Sequence, residues 1–161
     1  MGKGFKFKCK NCAYSLTANL GVGFKYPHHC ARILEDIKNG KLGKEFKEIA
    51  DSSENPAVYA SIDLYLCENC KALKPELTIA LCSPIIDLPK SDRPFSVASG
   101  CSEPDTYVME YQLGTEYEIK LIKNYYCGKC KIKLTKVTEY ENLECPHCRS
   151  ELNYDMVCCW D

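Results

Sequence analysis

Four cysteine pairs, each with two residues between the thiols, constrain this chain more than any other feature of its sequence. We number them as knuckles 1 to 4, and they are Cys9/Cys12, Cys67/Cys70, Cys127/Cys130 and Cys145/Cys148. A spacing of two residues lets both sulfurs reach one ion, and the turn between them points backbone N–H groups at the thiolates. Four thiolates match the tetrahedral preference of Zn²⁺. We therefore expect two structural four-cysteine sites, with two zinc ions as cofactors.

The cysteine content favours metal binding over a disulfide framework. The chain has 13 cysteines in 161 residues, an odd count, and eight of them lie in the knuckles. Reduced thiols in such pairs are typical of intracellular metal sites. No apolar run approaches the roughly 18 residues that span a bilayer, and the opening stretch MGKGFKFKCK lacks the apolar segment of a secretory signal. We expect a cytoplasmic protein.

The residues that flank the knuckles repeat as well. Two positions before each knuckle stands a large apolar or aromatic side chain: Phe7, Tyr65, Tyr125 and Leu143. Four positions after three of the knuckles stands a leucine: Leu16, Leu134 and Leu152. Knuckle 2 departs from this rule, with Lys74 at that position and Leu73 one earlier. The repeat predicts two copies of one unit, each with two knuckles on β-hairpins and a small apolar core.

This pattern resembles the zinc ribbon, a family of small antiparallel β modules with one four-cysteine site. The resemblance covers residues 120–161 most fully and residues 5–20 and 58–82 in part, and the opening stretch is similar to that of bacterial zinc-ribbon proteins. It implies that neighbouring knuckles share a metal ion. One ligand set would then be Cys127, Cys130, Cys145 and Cys148, and the other would be Cys9, Cys12, Cys67 and Cys70.

The residue after each knuckle departs from the glycine of many rubredoxin-type knuckles. Ala13, Lys71, Lys131 and Arg149 stand there, and a non-glycine residue in a left-handed conformation costs about 1–2 kcal/mol. This disfavours an iron redox site but is compatible with zinc.

Loop closure does not forbid the pairing of knuckles 1 and 2. They enclose 54 residues, whereas knuckles 3 and 4 enclose 14. The longer loop costs about 1.2 kcal/mol more to close, and a structural zinc ion contributes on the order of 10–16 kcal/mol.

The hydrophobic pattern predicts two helices and several strands. Pro27 suits a first helical turn, Cys30, Leu34 and Ile37 recur at helix spacing, and Gly40 is a plausible stop. A shorter helix carries Leu42, Phe46 and Ile49. Half-buried strands with alternating apolar residues are expected on both sides of knuckle 2 and at the end of the chain, at the apolar positions Val58, Ala60, Ile62, Leu64, Leu66, Leu77, Ile79, Leu81, Tyr117, Ile119, Leu121, Leu152, Tyr154, Met156, Cys158 and Trp160.

These elements predict an α+β fold that is mostly small antiparallel β structure. We expect an N-terminal split zinc ribbon over residues 1–87, with a two-helix insertion at about 27–53. Residues 88–106 contain three prolines and a glycine and predict a linker. A C-terminal zinc ribbon would occupy residues 107–161.

The remaining thiols and histidines leave alternatives open. His28, His29, Cys30, Cys82, Cys101, Cys158 and Cys159 could bind a further metal or be redox-active. Neighbouring helix residues point about 100° apart, so Cys30 is better explained as a small buried helix residue. On a strand we expect Cys158 to be buried and Cys159 to be more exposed. Trp160 is either a core anchor or an exposed binding contact.

The sequence favours a protein-interaction or adaptor module over an enzyme. A site with four cysteine ligands has no open coordination position, and we expect no catalytic and no further cofactor-binding residues. Lysines alternate with Phe5 and Phe7 in the first strand, which keeps nucleic-acid binding as the alternative function. Each zinc site carries a formal charge of −2, which moves the net charge from −1 to about −5 and disfavours a polyanion. A thiol-redox protein or enzyme is the second alternative. The oligomeric state stays open.

Overall fold

The computed structural model describes residues 2–23, 26–85 and 106–160. In chain order the strands and helices are β1 (Gly2–Cys9), β2 (Ser15–Leu20), α1 (Tyr26–Lys38), α2 (Lys44–Ser52), β3 (Ala57–Leu66), β4 (Leu73–Pro84), β5 (Tyr117–Ile122), β6 (Thr135–Lys136) and β7 (Leu152–Trp160). A 3₁₀ turn at Glu110–Gln112 precedes β5. The expected α+β class with mostly antiparallel strands is confirmed.

The strands form two sheets. One has the order β2–β1–β7, so that the first and last strands of the described chain are neighbours, and the other has the order β5–β4–β3–β6. The pairings of β1 with β2 and β7, of β3 with β6 and of β4 with β5 are antiparallel. Knuckle 2 connects β3 to β4, and the N–H of Cys67 donates to the carbonyl of Ala72 across it.

The chain forms two compact units, and each is assembled from separate segments. The first unit contains residues 1–24, 61–78 and 124–161, and the second contains residues 25–60 and 79–123. These boundaries differ from the expected lobes at 1–87 and 107–161, because β3 and β4 each contribute residues to both units. Of the expected linker at 88–106, only Thr106 belongs to the described residues.

The core of the first unit lies between β1, β7, the last residues of β3 and the first residues of β4. Phe7 is fully buried there, together with Ala18, Leu20, Leu64, Leu73, Leu143, Cys145 and Leu152. Tyr140 and Tyr154 pack against Phe7 with ring centroids 5.7 and 6.1 Å away. Three of the apolar flanks that the repeat singled out, Phe7, Leu143 and Leu152, are thus buried in this core.

The second unit contains both helices. On α1 the residues Cys30, Leu34 and Ile37 are buried, and on α2 Phe46 and Ala50 are buried. The phenol of Tyr26 donates to the carbonyl of Val108 and accepts the N–H of Ala60. Both helices lie where the sequence predicts them, within a few residues.

The expected half-buried character of β3 is wrong for its first half. Residues 57–61 are all buried, so both faces of this part of the strand are covered and alternation in the sequence does not separate a core face from a solvent face. Tyr59 and Ser61 lie on the side of the strand that the alternation assigned to solvent, yet each is only 6% exposed.

None of the helices among the described residues has the length and apolar character needed to cross a membrane.

Candidate metal centres

Knuckles 1 and 4 meet because β1 and β7 are paired. β1 ends at Cys9, β7 begins at Leu152, and the antiparallel register places these two residues opposite each other. Knuckle 1 begins at the last residue of β1, and knuckle 4 ends shortly before β7. The ladder therefore brings together Cys9, Cys12, Cys145 and Cys148, which we call the terminal site.

Knuckles 2 and 3 meet through β3 and β6. β3 ends at Leu66, one residue before Cys67, and Leu66 pairs with Thr135 of β6. Knuckle 3 lies shortly before β6, and the N–H of Leu134 donates to the carbonyl of Tyr125 across its turn. This pairing brings together Cys67, Cys70, Cys127 and Cys130, which we call the central site.

The structure corrects the pairing of knuckles that the zinc-ribbon resemblance implied. The expected sets were knuckles 1 with 2 and 3 with 4, but the observed sets are 1 with 4 and 2 with 3. The arrangement is nested, because Cys12 and Cys145 are 133 positions apart and enclose Cys70 and Cys127, which are 57 positions apart. Strand pairing, and not proximity along the chain, selects the partners. All eight expected cysteines nevertheless lie in four-thiol clusters.

The sulfur separations fit one tetrahedral metal ion in each site. The Sγ atoms of Cys9 and Cys148 are 3.4 Å apart, those of Cys12 and Cys145 are 3.6 Å apart, and those of Cys70 and Cys127 are 3.7 Å apart. A tetrahedral centre with metal–sulfur bonds of about 2.3 Å requires sulfurs about 3.8 Å apart. Disulfide sulfurs would lie about 2.05 Å apart. The donor sets therefore fit four-thiolate metal binding.

Knuckles 2, 3 and 4 share one turn geometry. In each, the N–H of the residue after the second cysteine donates to the carbonyl of the first cysteine, at 2.7 Å for Lys71 and 2.9 Å for Lys131 and Arg149. These three residues are left-handed, with φ of 57°, 61° and 64°. Ala13 of knuckle 1 is not left-handed. The turn that usually favours glycine is thus built three times from basic residues.

Backbone N–H groups stabilise negative charge on the first sulfur of three knuckles, as the sequence predicts. The N–H of Asn11 lies 3.3 Å from Cys9 Sγ, that of Cys130 lies 3.4 Å from Cys127 Sγ, and that of His147 lies 3.4 Å from Cys145 Sγ. Such bonds orient the ligands and favour the thiolate over the thiol.

Each cluster contains one thiol that ionises readily and one that resists ionisation. The N–H of Cys130 is the main cause that lowers the pKa of Cys127 to about 6, and hydrogen bonds from Ser150 lower the pKa of Cys148 to about 6. In the central site, the neighbouring thiol of Cys70 is the main cause that raises the pKa of Cys130 to about 12. In the terminal site, a backbone hydrogen bond at Tyr14 favours the Cys12 thiolate, but burial and the neighbouring thiols outweigh it and raise the pKa of Cys12 to about 12. A cation would offset the repulsion among four thiolates.

The apolar flanks divide between the two sites in the same way as the knuckles. Phe7 and Leu143 belong to the core beside the terminal site. Tyr65 and Tyr125 pack beside the central site with ring centroids 5.4 Å apart, and Leu134 is buried with them. Of the four knuckles, only knuckles 2 and 3 have a tyrosine two positions before the first cysteine. This shared residue type was a signal in the sequence for their pairing.

Three polar side chains near the sulfurs were missed by the sequence reasoning. The amide of Asn69 donates to Cys130 Sγ at 3.4 Å. The hydroxyl of Ser150 lies 3.5 Å from Cys148 Sγ, and it accepts a hydrogen bond from the Asn11 amide at 2.9 Å. Each of the three lies inside a knuckle or two residues after one, and that position was the available signal.

The histidines do not join the clusters. The His147 ring packs edge-on against Tyr14, with ring centroids 5.1 Å apart. Within residues 2–23, 26–85 and 106–160, the two four-cysteine groups are the only clusters of potential metal ligands, so His28, His29 and Cys30 form no third site there. Cys101 lies outside the described residues.

The described cysteines outside the knuckles fall into two classes, buried and exposed. Cys30 and Cys82 are fully buried, as expected for Cys30, and burial raises their pKa to about 12 and about 11. Cys158 and Cys159 are both exposed, so the expected burial of Cys158 is wrong. The first residues of β1 on that face are glycines, and they provide no side chain that could cover it. Trp160 is partly buried and lies over Gly2.

The fold and the two clusters define a mixed α+β protein with two four-cysteine groups suited to metal binding. Comparison with protein-family models, with curated proteins and with solved structures finds no match to this chain.

Proposed function

We propose that this protein is a zinc-binding, non-catalytic protein-interaction module in which both metal ions are structural. The observation that carries the proposal is the pair of clusters made of four cysteines each, with sulfurs at tetrahedral separations. Four thiolates suit Zn²⁺, and a site closed by four protein ligands leaves no position for a substrate or a reactive water. Zinc then supplies folding free energy to the first unit.

Exposed apolar side chains support a protein partner. β7 is an edge strand of its sheet, and it carries Met156 and Val157, which are 59% and 50% exposed. Tyr126, beside knuckle 3, is 61% exposed. Apolar and aromatic side chains of this kind are enriched in protein interfaces, and an exposed edge strand favours contact with another chain.

The lysines give less support to nucleic-acid binding. Lys10 forms an ion pair with Glu151 at 2.7 Å, and Lys136 forms one with Asp63 at 2.8 Å. In the register of β1 with β7, Lys6 lies opposite Asp155. Carboxylates beside the lysines reduce the local positive potential that attracts phosphates. We therefore rank this function below a protein partner.

The metal proposal is tested by native mass spectrometry of the purified, reduced protein. We expect two zinc ions in the wild type and one zinc ion in Cys148→Ser, because the terminal site loses a ligand. The matched control is Cys159→Ser, which removes an exposed cysteine outside the clusters and should retain two ions. A wild-type protein that is folded without metal would contradict the proposal.

The interaction proposal is tested at β7. We expect a stably co-purifying protein partner to lose at least tenfold in affinity with Met156→Lys, because the substitution places a charge in an apolar contact. The control is Ile132→Lys, at an apolar residue 39% exposed elsewhere in the same unit. Retention on heparin with steep salt dependence would instead favour the nucleic-acid alternative.

A further inference from the structure

Arg149 belongs to the terminal site through its backbone. It follows Cys148 directly, its left-handed conformation completes the turn of knuckle 4, and its N–H donates to the carbonyl of Cys145 at 2.9 Å. The position of its Cα therefore depends on the geometry of the terminal site. A metal ion that fixes Cys145 and Cys148 also fixes the direction in which the Arg149 side chain leaves the backbone.

The side chain of Arg149 contacts the central site. Its Nη2 donates to the backbone carbonyl of Asn69 at 3.0 Å, inside knuckle 2. The side-chain amide of Asn69 in turn donates to Cys130 Sγ of knuckle 3 at 3.4 Å. One short chain of hydrogen bonds thus runs from the turn of the terminal site to a sulfur ligand of the central site. A donor with positive charge makes the stronger kind of hydrogen bond.

The end of β3 provides a second physical link between the two sites. Leu64 and Leu66 pack in the core beside the terminal site, while Tyr65 and Cys67 pack beside the central site. Successive residues of a strand point to opposite faces, so a single strand end supports both sites. The end of β3 therefore contacts the cores beside both clusters.

We propose that Arg149 is a positioning residue that couples the two metal sites, so that filling one raises the affinity of the other. This inference rests on the proposed function, because it requires that both clusters bind metal. The first ion orders knuckles 2 and 4 together, and the second ion then binds a site whose ordering entropy has already been lost. Coupling between two sites is reciprocal, so the same factor applies in both directions.

The test is a cycle of central-site affinities for Zn²⁺, measured by competition with a chromophoric chelator under reducing conditions. Four proteins are compared: the wild type, Cys148→Ser, Arg149→Gly, and the double variant. Glycine is chosen at position 149 because it accepts the left-handed conformation and removes only the side chain. In the wild-type background we expect Cys148→Ser to weaken the central site by about fivefold, the lower end of usual coupling factors, because the Arg149 bond is solvent-exposed.

In the Arg149→Gly background we expect the same cysteine substitution to weaken the central site by less than about twofold. The matched control is Lys131→Gly, which changes the equivalent left-handed position of knuckle 3. The Cys148→Ser effect should persist in that background. A reciprocal measurement uses Cys130→Ser and the terminal-site affinity, and it keeps the proposal testable if Cys148→Ser does not fold.

The outcomes separate this inference from the proposed function. A wild-type protein that binds no zinc overturns both. A wild-type protein that binds two ions, with a Cys148→Ser effect of the same size in the Arg149→Gly background, overturns the coupling role of Arg149 alone. Loss of the Cys148→Ser effect in the Lys131→Gly background as well would show that the loss is not specific to the Arg149 bridge. That result would also overturn the coupling role of Arg149.

Discussion

At the scale of single residues, the knuckle turns are the sites where local preference and tertiary structure disagree most. Lys71, Lys131 and Arg149 adopt a left-handed backbone conformation that costs about 1–2 kcal/mol for a residue with a Cβ. The hydrogen bonds of the turn, from the N–H of each to the carbonyl of the first cysteine, hold them there. At two of the three positions the side chain makes a contact that glycine could not make: Lys71 forms an ion pair with Glu68 at 3.1 Å, and Arg149 donates to the carbonyl of Asn69 at 3.0 Å.

Lys131→Gly should therefore stabilise the zinc-loaded protein. Relief of the left-handed strain is partly offset by the greater entropy of glycine in the unfolded chain, so we expect a gain of about 1 kcal/mol in the free energy of unfolding. Urea denaturation with excess zinc measures it. Ala13→Gly is the control, because Ala13 is not left-handed and no gain is expected there. An unchanged or lower stability for Lys131→Gly would contradict the strain.

At the scale of elements, the β1–β7 ladder determines which knuckles meet. Its register places Gly2 opposite Trp160 and Cys9 opposite Leu152. The indole of Trp160 lies directly over Gly2, so that a Cβ built on this glycine would approach the indole ring to 2.2 Å. The far end of the ladder is thus closed by an aromatic ring that only glycine accommodates.

Gly2→Val should displace the indole from β1. Trp160 is the only tryptophan, so its fluorescence reports this position without interference. We expect the emission to shift to longer wavelength as the ring becomes solvated, with the zinc content unchanged because the terminal site lies at the other end of the ladder. Gly128→Ala is the control, since a Cβ there meets nothing within 4 Å. An unshifted emission in Gly2→Val would place the ring elsewhere.

At the scale of the whole molecule, both four-cysteine clusters belong to the first unit and both helices belong to the second. The first unit depends on thiolate clusters for part of its core, whereas the second buries Cys30, Leu34 and Ile37 of α1 without any cluster. The two units should therefore respond differently to the loss of metal.

A chelator should unfold the first unit while the helices of the second remain. Hydrogen exchange measured by mass spectrometry should show protection lost in residues 2–23 and 124–160 and retained in α1 and α2. The chelator presaturated with zinc is the control. Simultaneous loss of protection in both helices would show that the second unit also requires the metal.

The sequence was sufficient to identify the clustered cysteines and insufficient to predict which knuckles meet. Spacing identified all eight clustered cysteines, and apolar periodicity located α1, α2, β3 and β7, because these signals are local. The pairing of knuckles depends on the ladder between β1 and β7, which are separated by nearly the whole chain. The loop between knuckles 1 and 4 costs only about 2 kcal/mol more to close than that between knuckles 3 and 4, so closure entropy could not decide against it.

The alternation of apolar residues along the strands also predicted the wrong burial at two places. Alternation predicted a buried Cys158 and a half-buried start of β3, but burial depends on what covers each face. Gly2 and Gly4 offer no side chains to cover Cys158, and both faces of residues 57–61 are covered.

The nested order of the knuckles has a consequence for biosynthesis. A ribosome makes the chain from its N-terminus, so Cys130 emerges before Cys145 and Cys148, and the inner cluster acquires all its ligands first. Cys9 and Cys12 must wait until 139 positions beyond Cys9 have been translated. During that interval the dithiol of knuckle 1 has no partner knuckle.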